Sequence, residues 1–138
     1  MLDYKPKASR NFPPPYESKE QRDLFAWAAA EGQRHRYPEL LLMHAVSRRS
    51  FALLQAADID PNFDFVAPNI CVPFATASCG ALYIELRPAY APRRDVKDDD
   101  DFLDGLRRWG NAAVTAYGVK EAIAIIERYL NREISEGD

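Results

Sequence analysis

Hydrophobic residues recur at helical spacing in three long stretches, which predict helices over about residues 17–35, 98–110 and 119–130. Acidic residues lead the first two stretches, as the helix dipole favours, and Gly110 is a suitable stop for the second. A shorter helix is predicted over about 50–58. The apolar stripes consist of Leu24, Phe25, Trp27 and Ala28 in the first long helix, Phe102, Leu103, Leu106 and Trp109 in the second, and Val119, Ala122, Ile123, Ile126 and Leu130 in the third.

Between these helices lie short apolar runs that predict strands. The run "LLLMHAV" (40–46) fits a buried strand, with His44 as a core histidine, although so short a run does not exclude a helix. The segment 59–73 contains three prolines and predicts an irregular or edge strand. "GALYIELR" (80–87) and "NAAVTAYG" (111–118) are two further strands. The order of elements predicts an α/β protein with a mixed sheet flanked by helices.

Composition indicates one domain, since the chain has 138 residues, of which 47% are hydrophobic. The proline-rich stretch 1–16 predicts a flexible or surface-draped arm, 17–132 the folded domain and 133–138 a tail. No apolar run is long enough to cross a membrane, and we expect a cytoplasmic protein. Cys71 and Cys79 are expected to be buried free thiols, and His35 a surface residue.

One strand carries the candidate chemistry. In "CGALYIELRPAY" (79–90), Glu85 and Arg87 are two residues apart, so their side chains should share a face of the sheet. The pair is either an ordinary ion pair or the rim of a metal site. Magnesium-dependent cleavage of a phosphodiester needs carboxylate oxygens for the hard ion and usually a cation near the scissile phosphate.

From Glu17 to Leu130 the chain resembles the VRR-NUC (virus-type replication-repair nuclease) branch of the PD-(D/E)xK nucleases. The resemblance lies in the order and spacing of several segments: Glu17, Gln21 and Trp27 in the first helix, "YPELLLMHA", "GALYIEL" and the closing "YGVKEAIAIIERYL". It implies a restriction-endonuclease-like fold. It also implies a vestigial catalytic set of Glu17, Asn69, Glu85, Arg87 and Asp99, in which Glu85 is the residue that would hold a metal.

The departures from the family fall on these catalytic positions. Pro68-Asn69 stands where the family has Pro-Asp, Arg87 replaces its lysine, Asp99 replaces a glutamine, and "SRRS" (47–50) replaces Asn-Gly-Gly. Asn69 lacks the negative charge that a divalent cation prefers, and Arg87 stays protonated, so it cannot act as a base. We therefore expect a degenerate centre and a protein that is inactive or weakened as an enzyme.

The family occurs in phages and mobile elements as well as in repair enzymes, and the resemblance implies such an origin. With a degenerate centre, binding remains as the expected function. The partner is either a host protein, such as a nuclease or defence complex, or branched or single-stranded DNA, and a homodimer is possible. No cofactor is expected if the protein is inactive. The alternative is an active structure-specific endonuclease, similar to a junction resolvase, that uses Mg²⁺ or Mn²⁺.

The charge of the chain bears on the choice between a protein and DNA as the partner but does not decide it. The formal net charge is −3, so DNA binding would need a local basic patch, for which the candidates are Arg48, Arg49, Arg93 and Arg94. The acidic run 98–101 is either a helix start or a feature that repels or mimics phosphate, and it favours a protein partner.

Overall fold

The structure is a computed structural model that describes residues 18–46, 68–76, 78–93 and 101–132. These residues form a four-stranded sheet with three α-helices. The helices are α1 (Lys19–Gln33), α2 (Asp101–Arg108) and α3 (Val119–Leu130), and a 3-10 helix covers Pro38–Leu42. The strands are β1 (His44–Ala45), β2 (Ile70–Val72), β3 (Leu82–Arg87) and β4 (Ala112–Tyr117).

The sheet is mixed, as the sequence predicts. Its strand order is β1–β2–β3–β4, in which β1/β2 and β2/β3 are antiparallel and β3/β4 are parallel. Parallel neighbours need a crossover connection, and α2 lies within the one that joins β3 to β4. The α/β class with a mixed sheet flanked by helices is therefore confirmed.

Successive side chains of β3 point to opposite faces of the sheet. On one face, Leu82, Ile84 and Leu86 enter the main core, which also includes buried residues of α1 and α3. On the other face, Tyr83 packs with Leu103 of α2. Helices thus cover both faces, and Glu85 and Arg87 lie on the α2 side because they share the alternation of Tyr83.

The first helix forms close to where periodicity places it. Ser18 is its N-cap, and the Ser18 hydroxyl accepts a hydrogen bond of 3.1 Å from the backbone N–H of Gln21. The predicted apolar stripe faces the core, where Leu24 and Ala28 are buried and Phe25 and Trp27 are partly buried. The observed helix lies within the predicted 17–35.

The last helix is also confirmed, and it follows β4 after a single residue, Gly118. Gly118 has a φ of 88°, and a Cβ at this position would lie 2.8 Å from the Cβ of Ala89, so glycine is needed for both reasons. The predicted stripe packs against the main core, with Ala122 and Ile126 buried and Val119, Ile123 and Leu130 partly buried.

The prediction of a strand over 40–46 is wrong for most of its length. Pro38 begins a 3-10 helix instead, as its fixed φ allows, and only His44 and Ala45 pair with β2. Leu40 is buried, whereas Leu41 and Leu42 are exposed, so the apolar run is not a buried strand. His44 is exposed at the end of the sheet rather than in the core, and its Nδ1 lies 3.2 Å from the carbonyl oxygen of Leu42.

Trp109 does not join the apolar side of the second long helix. It is 87% exposed, because α2 ends one residue before it and Trp109 lies in the turn. Leu103 is buried and Leu106 partly buried, as predicted, while the side chain of Phe102 is outside the described set. Gly110 follows with a φ of 84°, which confirms it as the stop.

Both cysteines are buried free thiols, as predicted, and burial raises the pKa of Cys71. His35 is exposed, also as predicted. Three predicted segments lie outside the described residues, namely the arm 1–16, the helix over 50–58 and the tail 133–138. Within the described part of the chain, no helix has the length and hydrophobicity needed to cross a bilayer.

Tyr129→Phe should destabilise the fold, because Tyr129 is fully buried and its hydroxyl donates a 2.6 Å hydrogen bond to the carbonyl oxygen of Phe74. We expect a loss of about 1–2 kcal/mol in the free energy of unfolding, measured by urea denaturation at neutral pH. Tyr90→Phe is the matched control, because Tyr90 is exposed, and it should change stability little. Equal losses in the two variants would contradict the assignment.

The Tyr129 hydroxyl should also make the stability of the fold depend on pH. Burial is the main cause that raises the pKa of Tyr129 to about 12, whereas an unfolded tyrosine ionises near about 10. The unfolded chain therefore loses its proton first, and this contribution to stability falls as pH rises from about 10 to about 12. The stability gap between wild type and Tyr129→Phe should narrow over that range.

Candidate active site

The strand register brings three of the predicted site residues to one region of the sheet. Ile70 pairs with Ile84 across β2 and β3, and the residue before Ile70 is Asn69, which this register places beside Glu85. Arg87 is on the same face of β3 as Glu85, and its Nη1 lies 3.7 Å from Glu85 Oε1. Asn69, Glu85 and Arg87 therefore form one candidate site.

Glu85 and Arg87 make a largely buried ion pair. The Glu85 side chain is 3% exposed and the Arg87 side chain 23%. The distance of 3.7 Å is longer than a charge-assisted hydrogen bond, and Arg87 Nε is buried without a hydrogen-bond partner among the described residues. The pair is an ion pair, as one interpretation of the sequence predicts, but it lies in the protein interior rather than on the surface. The other interpretation, the rim of a metal site, stays a prediction.

Asn69 uses its side-chain amide within the sheet. Its Oδ1 accepts a 2.8 Å hydrogen bond from the backbone N–H of Leu86, and its Nδ2 donates a 3.1 Å hydrogen bond to the carbonyl oxygen of Leu86. Asn69 is also buried. Its amide oxygen therefore already serves as the acceptor of a strand hydrogen bond.

Gln21 is a buried member of this region whose role the sequence does not reveal. It is fully buried, and its Nε2 donates a 3.1 Å hydrogen bond to the carbonyl oxygen of Asn69. The spacing Ser18-x-x-Gln21 is that of a capping box, which predicts a helix start but not a contact 48 residues away. Gln21 fixes the N-terminal turn of α1 to the start of β2.

Arg93 lies near the C-terminal ends of the parallel strands β3 and β4. It makes two hydrogen bonds to the Glu121 carboxylate, at 2.7 and 3.3 Å, and its guanidinium lies 4.6 Å from the centre of the Tyr117 ring. Tyr117 in turn pairs with Arg87 in the β3/β4 register. The hydrogen bonds to Glu121 raise the pKa of Arg93.

The remaining predicted site residues are outside the described ranges. These are the acids Glu17 and Asp99 and the arginines Arg48, Arg49 and Arg94, as is the "SRRS" segment. Their roles stay predictions. Among the described residues, Arg93 is the one candidate DNA-binding arginine, and its guanidinium is already paired with a carboxylate.

The described residues do not fit a magnesium centre of the PD-(D/E)xK type. Such a centre needs carboxylate oxygens directed at the ion. Asn69 is neutral and directs its oxygen at a backbone N–H, and Glu85 has a guanidinium beside it. In the described ranges, no three His, Cys, Asp or Glu side chains are grouped to hold a metal ion.

A solved structure described as a "VRR_NUC domain protein" is similar to this chain. The two align with a TM-score of 0.55 and 15% sequence identity, over 84% of this chain and 92% of that one. No family model matches the sequence, and neither does any curated protein. The chain therefore has the VRR-NUC fold, which confirms the fold that the resemblance implies; at this identity the likeness concerns the fold alone.

A double-mutant cycle on Glu85→Gln and Arg87→Met should reveal a coupling energy of about 1–3 kcal/mol in urea unfolding, because a charge pair with little exposure is poorly screened. The matched control is Asp104 and Arg108, a 3.0 Å pair on the surface of α2 with the Arg108 side chain 79% exposed and the Asp104 side chain 46% exposed. Its coupling should be at most about 0.5 kcal/mol. Similar couplings in the two pairs would show that the buried pair has no special strength.

Proposed function

We propose that this protein is a VRR-NUC-fold protein that does not cleave DNA and acts by binding another protein. The observation that carries the proposal is the hydrogen bonding of Asn69. Its amide oxygen is 2.8 Å from the Leu86 N–H, in the region where a catalytic relative would present a carboxylate to a metal ion. A ligand oxygen committed to a strand hydrogen bond is a poor metal ligand.

Arg87 supports the same conclusion. A lysine at this position could exchange a proton if its pKa were lowered, whereas a guanidinium remains charged at neutral pH. Arg87 is also close to Glu85, so its charge is directed at a residue of the same strand. Neither member of the pair is arranged for general acid or base catalysis.

Charge favours a protein over DNA as the partner. The whole chain has a formal net charge of −3, which repels the phosphate backbone of a nucleic acid. Arg93 is held by Glu121, so a phosphate would have to displace an existing carboxylate. The family that the sequence resembles occurs in phages and mobile elements as well as in repair enzymes. For a phage or mobile-element protein, the partner class we expect is a host nuclease or defence complex, bound by a monomer or a homodimer.

The absence of cleavage is tested with purified wild-type protein, Mg²⁺ or Mn²⁺, and branched and single-stranded DNA. We expect no metal-dependent products and no saturable heat of metal binding in calorimetry. Glu85→Ala is the control, since products that persist in this variant come from a contaminant. Cleavage by the wild type that Glu85→Ala abolishes would overturn the proposal and establish the alternative, an active endonuclease.

The choice of partner is tested by DNA binding at low salt without metal. We expect no measurable affinity, whereas a pull-down should recover a specific host protein whose binding can be measured again with both partners purified. Arg93→Ala and its control Arg34→Ala separate the outcomes, because Arg34 is an exposed arginine on another part of the surface. DNA binding that is lost only in Arg93→Ala, and that weakens with salt, would identify DNA as the ligand instead.

A further inference from the structure

Pro68 and Asn69 directly precede β2, at the end of the β2/β3 ladder. The main-chain pairing runs from Val72 with Leu82 to Ile70 with Ile84, where it ends, and the N–H of the next residue, Asn69, donates to the carbonyl of Ile84 instead of continuing the register. Leu86 is in the middle of the sheet, where its N–H and C=O both need partners. Proline has no N–H, so Pro68 cannot donate to the Leu86 carbonyl.

The side chain of Asn69 supplies the N–H donor that Pro68 lacks. Its Nδ2 donates to the Leu86 carbonyl at 3.1 Å, and its Oδ1 accepts from the Leu86 N–H at 2.8 Å. One neutral amide thus provides the donor and the acceptor that a main-chain residue would provide in an antiparallel pair. The side chain of Asn69 thus satisfies the backbone of Leu86 beyond the last main-chain pair.

The main chain of Asn69 makes three more contacts. Its N–H donates to the carbonyl of Ile84 at 2.9 Å. Its carbonyl oxygen accepts from the backbone N–H of Val46 at 2.9 Å and from Gln21 Nε2 at 3.1 Å. This single residue therefore joins the segment after β1, the strand β3 and the helix α1.

We infer that Asn69 is a sheet-closing clamp, whose amide is required as both donor and acceptor, and that the position is not a metal site that merely lost its charge. The clamp is built from the backbone of Leu86, so it would exist whichever macromolecule the protein binds. The inference rests on the same hydrogen bonds of Asn69 as the proposed function, but it is tested by stability whereas the proposed function is tested by cleavage and binding, so the two failures can be told apart.

A carboxylate cannot replace this amide. In Asn69→Asp one oxygen could still accept from the Leu86 N–H, but the other would face the Leu86 carbonyl, where Nδ2 now donates. Two acceptors repel each other in a buried place, whereas a protonated carboxyl has one O–H donor and one acceptor, as the amide does. The titratable or charged groups nearest in the strand registers are Glu85, Arg87, Cys71 and His44, and the contact from α1 is the neutral Gln21.

The test compares urea unfolding of wild type, Asn69→Asp, Asn69→Ala and the control Asn131→Asp, in which the replaced amide is exposed. Near pH 7 we expect the unfolding equilibrium constant to rise on the order of 100-fold in both Asn69 variants and to change little in the control. Millimolar magnesium chloride should not restore Asn69→Asp. An Asn69→Asp protein as stable as wild type near pH 7, or one that magnesium stabilises, would overturn the clamp.

The pH dependence of the stability distinguishes loss of the amide donor, in Asn69→Asp, from loss of the whole side-chain amide, in Asn69→Ala. A folded-state carboxyl pKa above the unfolded value of about 3.9 gives stability that is present at acid pH and lost as pH rises. Asn69→Asp should therefore approach wild-type stability as pH is lowered, while Asn69→Ala should not. A constant gap between Asn69→Asp and wild type across the acid range would contradict the required donor.

The wild-type protein provides a measurement that needs no variant. In the clamp, an Asn69 side-chain amide proton is hydrogen-bonded and buried, so it should exchange with solvent at least tenfold more slowly than the side-chain amide protons of the exposed Asn131. NMR hydrogen exchange measures both. Equal exchange rates would refute the clamp even if the substituted proteins failed to fold.

Discussion

Leu86 must find partners for both its N–H and its C=O beyond the last main-chain pair of β2 and β3, and the amide of Asn69 meets this constraint. The rest of the structure depends on it, since β3 is an inner strand whose side chains reach the main core on one face and the candidate site on the other. Without these hydrogen bonds, the part of β3 that carries Glu85 and Arg87 would have β4 as its only hydrogen-bonded neighbouring strand among the described residues.

Charges in the described part of this region are largely balanced within the chain. Arg87 lies beside Glu85 on β3, and Arg93 binds Glu121 of α3 while stacking on Tyr117. In a working phosphodiesterase the cations would be open to a phosphate and the carboxylates to a metal ion. Here both kinds of charge face each other, which lowers the electrostatic attraction for either ligand.

The sequence predicts those parts of the fold in which one periodicity dominates. Helices α1 and α3 and strand β3 form where apolar spacing places them, because their stripes decide which face is buried. The run 40–46 has no such pattern, and Pro38 decides its conformation. Glu85 and Arg87 can be paired from their spacing alone, but the role of Asn69 depends on a register with residues 17 positions away and that of Gln21 on one 48 positions away, which no local pattern reports.

The clamp has a consequence for the history of the chain. If an ancestor carried an acid at position 69, the change to asparagine would have removed a metal ligand and, in the same step, added a strand hydrogen bond to the Leu86 carbonyl. The loss of cleavage would then have been accompanied by a gain in stability. A return to the acid would then pass through a less stable protein before any catalytic benefit appeared, which would make the change at position 69 hard to reverse.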